Sequence, residues 1–119
     1  MSTTGKVNLF QKKRETSWKN AAPGIKRKIY GYDENLMLVK VRFRKHAVGS
    51  LHEHPHSQVT YVESGIFEVT IGDAKKVVKS GDGFYVPPGI VHGCVCREAG
   101  ILIDVFSPFR EDFLDTNNR

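Results

Sequence analysis

The residues of this chain best suited to chemistry are its histidines, because four of the five fall in two short patches. His52, His54 and His56 make up the first patch, and His92 follows the stiff run Pro87-Pro88-Gly89. Imidazole is the commonest protein ligand for borderline divalent metals. His52 and His54 stand two apart in a stretch that reads as a strand, so both side chains should leave the same face of a sheet. This pattern predicts a bound metal ion.

Size and cysteine content limit the class of protein. The chain has 119 residues, enough for one domain with a buried core but not for two. No stretch approaches the roughly 20 apolar residues of a membrane helix, and the N-terminus has no apolar signal-peptide core. Cys94 and Cys96 are too few and too close for a disulfide framework. These features predict a cytoplasmic protein with no membrane partner.

Beyond residue 35 the chain reads as short strands separated by glycine turns. Val39, Val41 and Phe43 alternate with basic residues, which gives a two-residue period with one apolar and one basic face. Further strands are expected at 58–64, 66–71, 75–79, 83–86, 92–96 and 101–106. The expected breaks include Ser64-Gly65 and Ala99-Gly100. Many short strands at regular spacing predict an all-β antiparallel sandwich or barrel.

One clear helical signal stands at the end of the chain. Ser107 can cap a helix, and Pro108 suits the first helical position. Phe109 and Phe113 are four residues apart and would fold this turn back onto the barrel. The expected fold is therefore all-β with a short C-terminal helical turn.

The formal charge of +5 is concentrated near the N-terminus. Eight basic residues lie between Lys6 and Lys28, against Glu15 alone. No helix-turn-helix or zinc-finger pattern follows them, and no aromatics are interleaved for stacking on bases, so no nucleic-acid partner is expected. We predict that residues 1–25 form a basic arm, packed on the barrel or on a partner or partly disordered. Residues 26–119 would then form the single barrel domain, and Trp18 indicates that part of the arm packs.

A first motif in this chain resembles the one that opens the cupin domain. It consists of His52-x-His54, with Gln58 where a glutamate usually stands and Gly65 seven residues later. Its leading glycine departs from the pattern, because Gly49 lies three residues before His52 and not six.

A second motif resembles the one that closes the cupin domain. Its four members lie at every expected interval: Gly81, Pro87, Gly89 and His92. Cys96 takes the place of the closing asparagine. Together the motifs span the barrel, residues 36–106. The resemblance implies a small double-stranded β-helix, a jelly-roll-like barrel, with these metal ligands: His52, His54, Gln58 and His92.

The resemblance implies one divalent metal ion as cofactor. Ligand softness and geometry favour zinc or nickel and also accept manganese or iron. Gln58 either ligates through its amide oxygen or leaves a three-histidine site with water in its place. Neutral ligands leave the charge of the metal uncompensated, so the site should favour an anionic substrate. His56 follows Pro55, which interrupts the strand, and we expect it to support the site and not to bind the metal.

The tail narrows the resemblance to one group of cupins. The stretch from Ile101 to Leu114 is similar to the C-terminal signature of the pectin-degradation cupins called KdgF. The runs from Ala47 to Val62 and from Tyr85 to Pro88 are similar to that family as well. Its members help to convert 4,5-unsaturated monouronates, released from pectin or alginate, into the linear ketonised sugar acid. The resemblance therefore implies a metal-dependent isomerase or tautomerase whose partner is a small anionic sugar acid.

Asp104 stands out without the family, as an ionisable residue in an otherwise apolar strand. Burial would raise its pKa, and metal charge or Arg110 would lower it, so this carboxylate can shuttle a proton. Phe106 shares the strand parity of Asp104 and would wall the pocket, while Arg110 and the metal would bind the substrate carboxylate. The predicted catalytic residues are thus Asp104, Arg110 and Phe106. A purely structural salt bridge between Asp104 and Arg110 is the alternative.

Two other functions and one assembly fit the same residues. A metal-dependent dioxygenase or lyase acting on another small acid would use the same ligands. A non-catalytic cupin that binds a sugar acid would need the cavity without turnover. A barrel of this size has edge strands to protect, which predicts a homodimer paired through them.

Overall fold

Antiparallel strands make up nearly all of the regular structure in the computed structural model, which describes residues 8–114. The strands are β1 (Lys19–Ala22), β2 (Ile25–Asp33), β3 (Leu36–Phe43), β4 (Val48–His52), β5 (Ser57–Ile71), β6 (Ala74–Lys79), β7 (Gly83–Val86) and β8 (His92–Ser107). The helical elements of this part of the chain are two 3₁₀ turns, Lys13–Glu15 and Glu111–Phe113. Within residues 8–114 no helix has the length and hydropathy to cross a bilayer. The all-β class is confirmed.

β5 and β8 are the long strands on which the others assemble. They contain 15 and 16 residues and pair from Ser57 opposite Ser107 to Ile71 opposite His92. The first half of β5 and the second half of β8 lie between β7 and β3, and β2 and β1 continue that sheet. The opposite halves carry β6 and β4. These two groups of strands enclose the main core.

The predicted breaks at Ser64-Gly65 and Ala99-Gly100 are wrong, because both strands continue through them. The register of β5 against β8 shifts around Ser64, and Gly65 has a φ of 90°. A Cβ at Gly65 would lie 2.7 Å from the carbonyl oxygen of Glu98, so only glycine permits this close crossing. The glycines therefore bend the paired strands from one sheet into the other without ending them.

The C-terminal tail packs back on the barrel as expected but begins differently. The predicted cap at Ser107 and helix start at Pro108 are wrong, since β8 runs through Ser107 and the 3₁₀ turn starts at Glu111. The aromatic contacts of the tail explain its position. Phe113 meets Phe106 edge to face at 5.6 Å between ring centroids, and both belong to a second buried cluster beside the main core.

Part of the predicted N-terminal arm is built into the sheet. β1 pairs with β2, and the guanidinium carbon of Arg42 lies 4.3 Å from the ring centroid of Trp18. Residues 1–7, which include Lys6, and residues 115–119 lie outside the described residues. The division of the chain after residue 25 and the homodimer stay predictions.

Candidate metal centre

The metal ligands predicted from the sequence reach one place from different elements. His52 ends β4 and lies opposite His92, the first residue of β8. Gln58 is the second residue of β5. The expectation that His54 shares a strand with His52 is wrong, because β4 ends at His52 and His54 lies in the loop before β5. Its carbonyl oxygen accepts a 2.8 Å hydrogen bond from the N–H of Gly89, which ties this loop to the turn before β8.

His52, His54 and His92 form the histidine cluster. One ligand atom from each lies within 4.8 Å of the others. The ring centroid of His92 lies 4.4 Å from that of His52 and 4.7 Å from that of His54. Two nitrogens bound at about 2.1 Å to one tetrahedral zinc lie roughly 3.4 Å apart, so the cluster is close to the spacing that an ion requires.

The backbone sets which ring nitrogens can bind metal. Nδ1 of His52 lies 2.8 Å from the carbonyl oxygen of Ser50, and Nδ1 of His92 lies 2.8 Å from that of Ile90. A carbonyl oxygen only accepts, so each Nδ1 carries the proton and each Nε2 keeps its lone pair. Nε2 of His92 is buried without a hydrogen-bond partner. Such an orphaned acceptor is costly, and a bound metal would satisfy it.

Burial favours the neutral form of two members of the cluster, His54 and His92. The pKa of His92 is lowered, mainly by burial. The pKa of His54 is lowered by burial and then by the charge of Arg110. Neutral imidazoles bind divalent ions without first losing a proton, so the residues present fit a metal.

A chain of hydrogen bonds leads from the cluster to the predicted acid–base residue. Nε2 of His54 lies 3.0 Å from Oε1 of Gln58, whose Nε2 donates at 3.0 Å to Oγ1 of Thr60. Thr60 in turn donates to Asp104 at 2.6 Å. An ionised Asp104 can only accept, which makes Thr60 the donor and turns Oε1 of Gln58 towards His54. Sequence reasoning missed Thr60, although its parity with Gln58 in β5 was a signal.

Asp104 is enclosed by protein. Burial raises the pKa of its carboxyl to about 6, while the hydrogen bond from Thr60 and the charges of Arg110 and Arg27 pull it down. The alternative reading, a salt bridge from Asp104 to Arg110, is not what the structure shows. Arg110 instead donates from Nε and Nη2 to both carboxylate oxygens of Asp112, at 3.0 and 2.8 Å. Asp104 is therefore a buried carboxyl that titrates near neutral pH.

One cavity of about 460 Å³ joins these groups. Its lining includes His52, Gln58, His92, Asp104, Phe106 and Arg110. His54 is buried nearby and packs edge to face on Phe106 at 5.8 Å between centroids. Arg27 lines the cavity as well. Sequence reasoning counted Arg27 among the basic residues between Lys6 and Lys28 and so missed it, although Arg27 shares the strand parity of Ile25 and Ile29.

The structure assigns places to three residues that the sequence left open. Cys94 lines the cavity, and burial raises the pKa of its thiol to about 12, so it carries no thiolate at neutral pH. Cys96 is buried in the main core. His56 lies outside the histidine cluster, with its ring centroid 5.3 Å from that of His54.

Comparisons with known proteins agree with this geometry. Residues 39–106 match the Cupin domain family. The pectin degradation protein KdgF of Dickeya dadantii is 46% identical over 102 residues, which cover 84% of this chain and 93% of that protein. A solved RmlC-like cupin from Shewanella frigidimarina superposes with a TM-score of 0.87 at 46% identity, over 90% of this chain and 96% of its own. The KdgF structure from a Halomonas species gives 0.85 at 40% identity, over 90% and 99%.

We predict that one divalent ion binds per chain and that His92→Ala weakens this binding roughly 100-fold, because the variant removes a buried lone pair that the fold has already oriented. Mass spectrometry after dialysis against zinc or nickel measures the number of ions bound per chain and the loss of binding in the variant. His46→Asn is the matched control, since His46 is exposed, lies outside the cluster and has a φ of 74° that asparagine tolerates. Equal metal content in the His92 variant and the wild type would contradict the site.

Proposed function

The chain belongs to the cupin family and, within it, to the group of the pectin degradation protein KdgF, and from this we propose that it is a metal-dependent enzyme acting on 4,5-unsaturated monouronates. The proposed reaction opens the sugar ring and ketonises the product to the linear keto acid. One observation carries the proposal: a histidine cluster, in which His92 keeps a free, buried lone pair, lies at a cavity whose lining also includes a buried carboxyl with a pKa of about 6.

The proposed ligands are the histidine cluster together with the amide oxygen of Gln58. A divalent ion held there supplies a Lewis acid that stabilises negative charge developing on a sugar oxygen. The chain itself prepares the ligands, because Ser50 and Ile90 fix the tautomers of His52 and His92 through backbone carbonyls. Ligands held in this way need little rearrangement when the substrate binds.

Asp104 is the proposed proton carrier. In its ionised form it takes the proton of the hemiacetal hydroxyl, whose electrons form the new carbonyl as the bond from that carbon to the ring oxygen breaks. The electron pair of that bond stays on the former ring oxygen, which becomes the oxygen of an enolate. The enolate then gains the proton at the carbon of its double bond that does not bear this oxygen. One proton has moved and no oxidant is consumed, so the reaction is an isomerisation. A pKa near the working pH suits a group that must both take and release a proton.

Phe106 and Arg110 shape the space around that transfer. Phe106 is almost fully buried and walls the cavity, which helps to exclude water from the enolate. The guanidinium carbon of Arg110 lies 5.0 Å from the ring centroid of Phe106, and Asp112 holds its opposite side. The positive charge of Arg110 favours the ionised form of Asp104. Arg110 therefore helps to keep the carboxyl ionised, while Phe106 shields it from water.

We predict that Asp104→Asn abolishes turnover of an unsaturated galacturonate monomer and leaves the metal content unchanged, because the variant keeps an acceptor for Thr60 but cannot carry a proton. The decay of the ultraviolet absorbance of the substrate measures turnover, and mass spectrometry measures the metal. Glu63→Gln is the control, since it removes a carboxylate that pairs with Lys40 at 2.9 Å outside the cavity. Full activity in the Asp104 variant would remove this residue from the mechanism.

The same variant should change how stability depends on pH. The pKa of Asp104 is raised by folding, so its burial destabilises the folded state at pH values above about 6 and ceases to do so below the unfolded value of 3.8. We therefore predict that metal-free Asp104→Asn unfolds at a higher temperature than metal-free wild type at pH 7. Thermal unfolding followed by circular dichroism would show this gain shrinking towards pH 4. A variant that is less stable than wild type at pH 7 would contradict the assigned cost of burial.

We predict that Thr60→Val moves the acid limb of the activity profile to higher pH. The hydrogen bond from Thr60 lowers the pKa of Asp104, so its loss raises that pKa, and more alkaline conditions are then needed to ionise the carboxyl. Initial rates from pH 4 to pH 9 measure the shift against the acid limb of the wild type. Thr60→Ser keeps the hydroxyl and should restore the wild-type profile. An unshifted limb in the valine variant would show that Thr60 does not tune Asp104.

A further inference from the structure

Arg27 is a charged residue in the cavity that the proposed reaction does not use. It lies on the inward face of β2 between two apolar neighbours of the same parity, Ile25 and Ile29. Within residues 8–114 no carboxylate forms a salt bridge with its guanidinium. An inward-facing cation without a directly paired carboxylate is costly in a folded domain, and a ligand carboxylate that pairs with it would offset that cost.

An aromatic ring fixes where this cation lies. The guanidinium carbon of Arg27 is 3.7 Å from the ring centroid of Phe113, and that of Arg110 is 4.0 Å from the same centroid. Burial, and then the charge of Arg110, lowers the pKa of Arg27, which still remains protonated at neutral pH. Two guanidinium groups thus meet on one ring at the cavity wall. Asp112 is hydrogen-bonded to Arg110, whereas the charges of Asp112 and Asp104 act on Arg27 without forming a salt bridge with it.

The hydrogen-bonding capacity of the two arginines differs. Nε and Nη2 of Arg110 already donate to Asp112. The guanidinium edge that carries these two nitrogens therefore has no complete pair of parallel donors left for a second carboxylate. No side-chain hydrogen bond uses the donors of Arg27 in the described part of the chain. A guanidinium with a free edge matches the two oxygens of a carboxylate in a bidentate pair.

We infer that Arg27 forms the carboxylate-binding subsite of this cavity and takes the acid group of a hexuronate, a role that the sequence suggested for Arg110. The sugar-acid identity of the ligand rests on the proposed function. The acid group of a 4,5-unsaturated uronate is attached to the double bond itself. A carboxylate held at Arg27 therefore keeps the reacting carbons within the space that Asp104 lines. Arg27 is close enough to Asp104 for its charge to favour the ionised carboxyl.

The test measures binding and not turnover. Zinc-loaded protein is titrated with D-galacturonate, which has no double bond to react, and separately with its methyl ester, which has no charge. Chemical shifts of backbone amides give both dissociation constants. Wild type should bind the acid at least about tenfold more tightly than the ester. Arg27→Gln should remove that preference by weakening the acid alone, and Arg27→Lys, which keeps the charge but not the paired donors, should retain part of it.

Arg42→Gln is the matched control, because it removes the same charge from β3 outside this cavity and should leave both constants unchanged. Undiminished preference for the acid in Arg27→Gln would overturn the inference. An equal loss of acid and ester binding would also overturn it, since that result indicates a structural role. The test distinguishes the subsite from the proposed function. A protein that shows the Arg27-dependent preference but no turnover of unsaturated uronate would support the subsite and contradict the proposed reaction.

Discussion

The arrangement of the site depends on the continuous pairing of β5 with β8. His92 begins β8 and Asp104 lies 12 residues later, a separation of about 40 Å in a straight strand. Both residues nevertheless line one cavity. The bend at Gly65 and Gly100 makes this possible, because it carries both long strands from one sheet into the other while their hydrogen bonds persist. A Cβ at Gly65 would clash with the backbone of β8 at Glu98 and Gly100, so this crossing requires glycine.

The pairing also determines which polar groups meet in the interior. Thr60 lies opposite Asp104 and Gln58 lies opposite Phe106, so one face of the ladder carries both the hydrogen-bond chain and the aromatic wall. Each buried polar atom of that chain has a partner, except where the histidine nitrogens are free to bind metal. On one side of the site the polar groups are all hydrogen-bonded, which fixes their geometry. On the other side, histidine nitrogens lack partners at the place where a metal ligand would bind. Such a combination costs stability and is typical of a site selected for function.

The sequence predicts the parts of the site that depend on the spacing of nearby residues better than the parts that depend on contacts between distant strands. The histidine and glycine spacings are local and predict the candidate metal ligands, and a carboxylate in an apolar strand singles out Asp104. A glycine in a sequence is compatible with a turn that ends a strand and also with a bend within a continuous strand. The pattern around Gly65 predicts a turn, and the structure has a bend. Thr60 and Arg27 became visible only with the cross-strand register and the packing of the tail. Arg27 also lies among the basic residues between Lys6 and Lys28, and a cluster of this kind predicts a surface position and not a place in a cavity.

The most direct test of the account is the ultraviolet absorbance of an unsaturated galacturonate monomer, followed with metal-loaded protein, after chelation and after the metal is restored. The account predicts faster decay with loaded protein, a return to the uncatalysed rate with chelator, and recovery when the ion is added back. No acceleration by protein confirmed to hold metal would contradict it, and the dioxygenase, lyase and sugar-acid-binding alternatives would then stand. Acceleration that survives complete removal of the metal would equally contradict a metal-dependent enzyme.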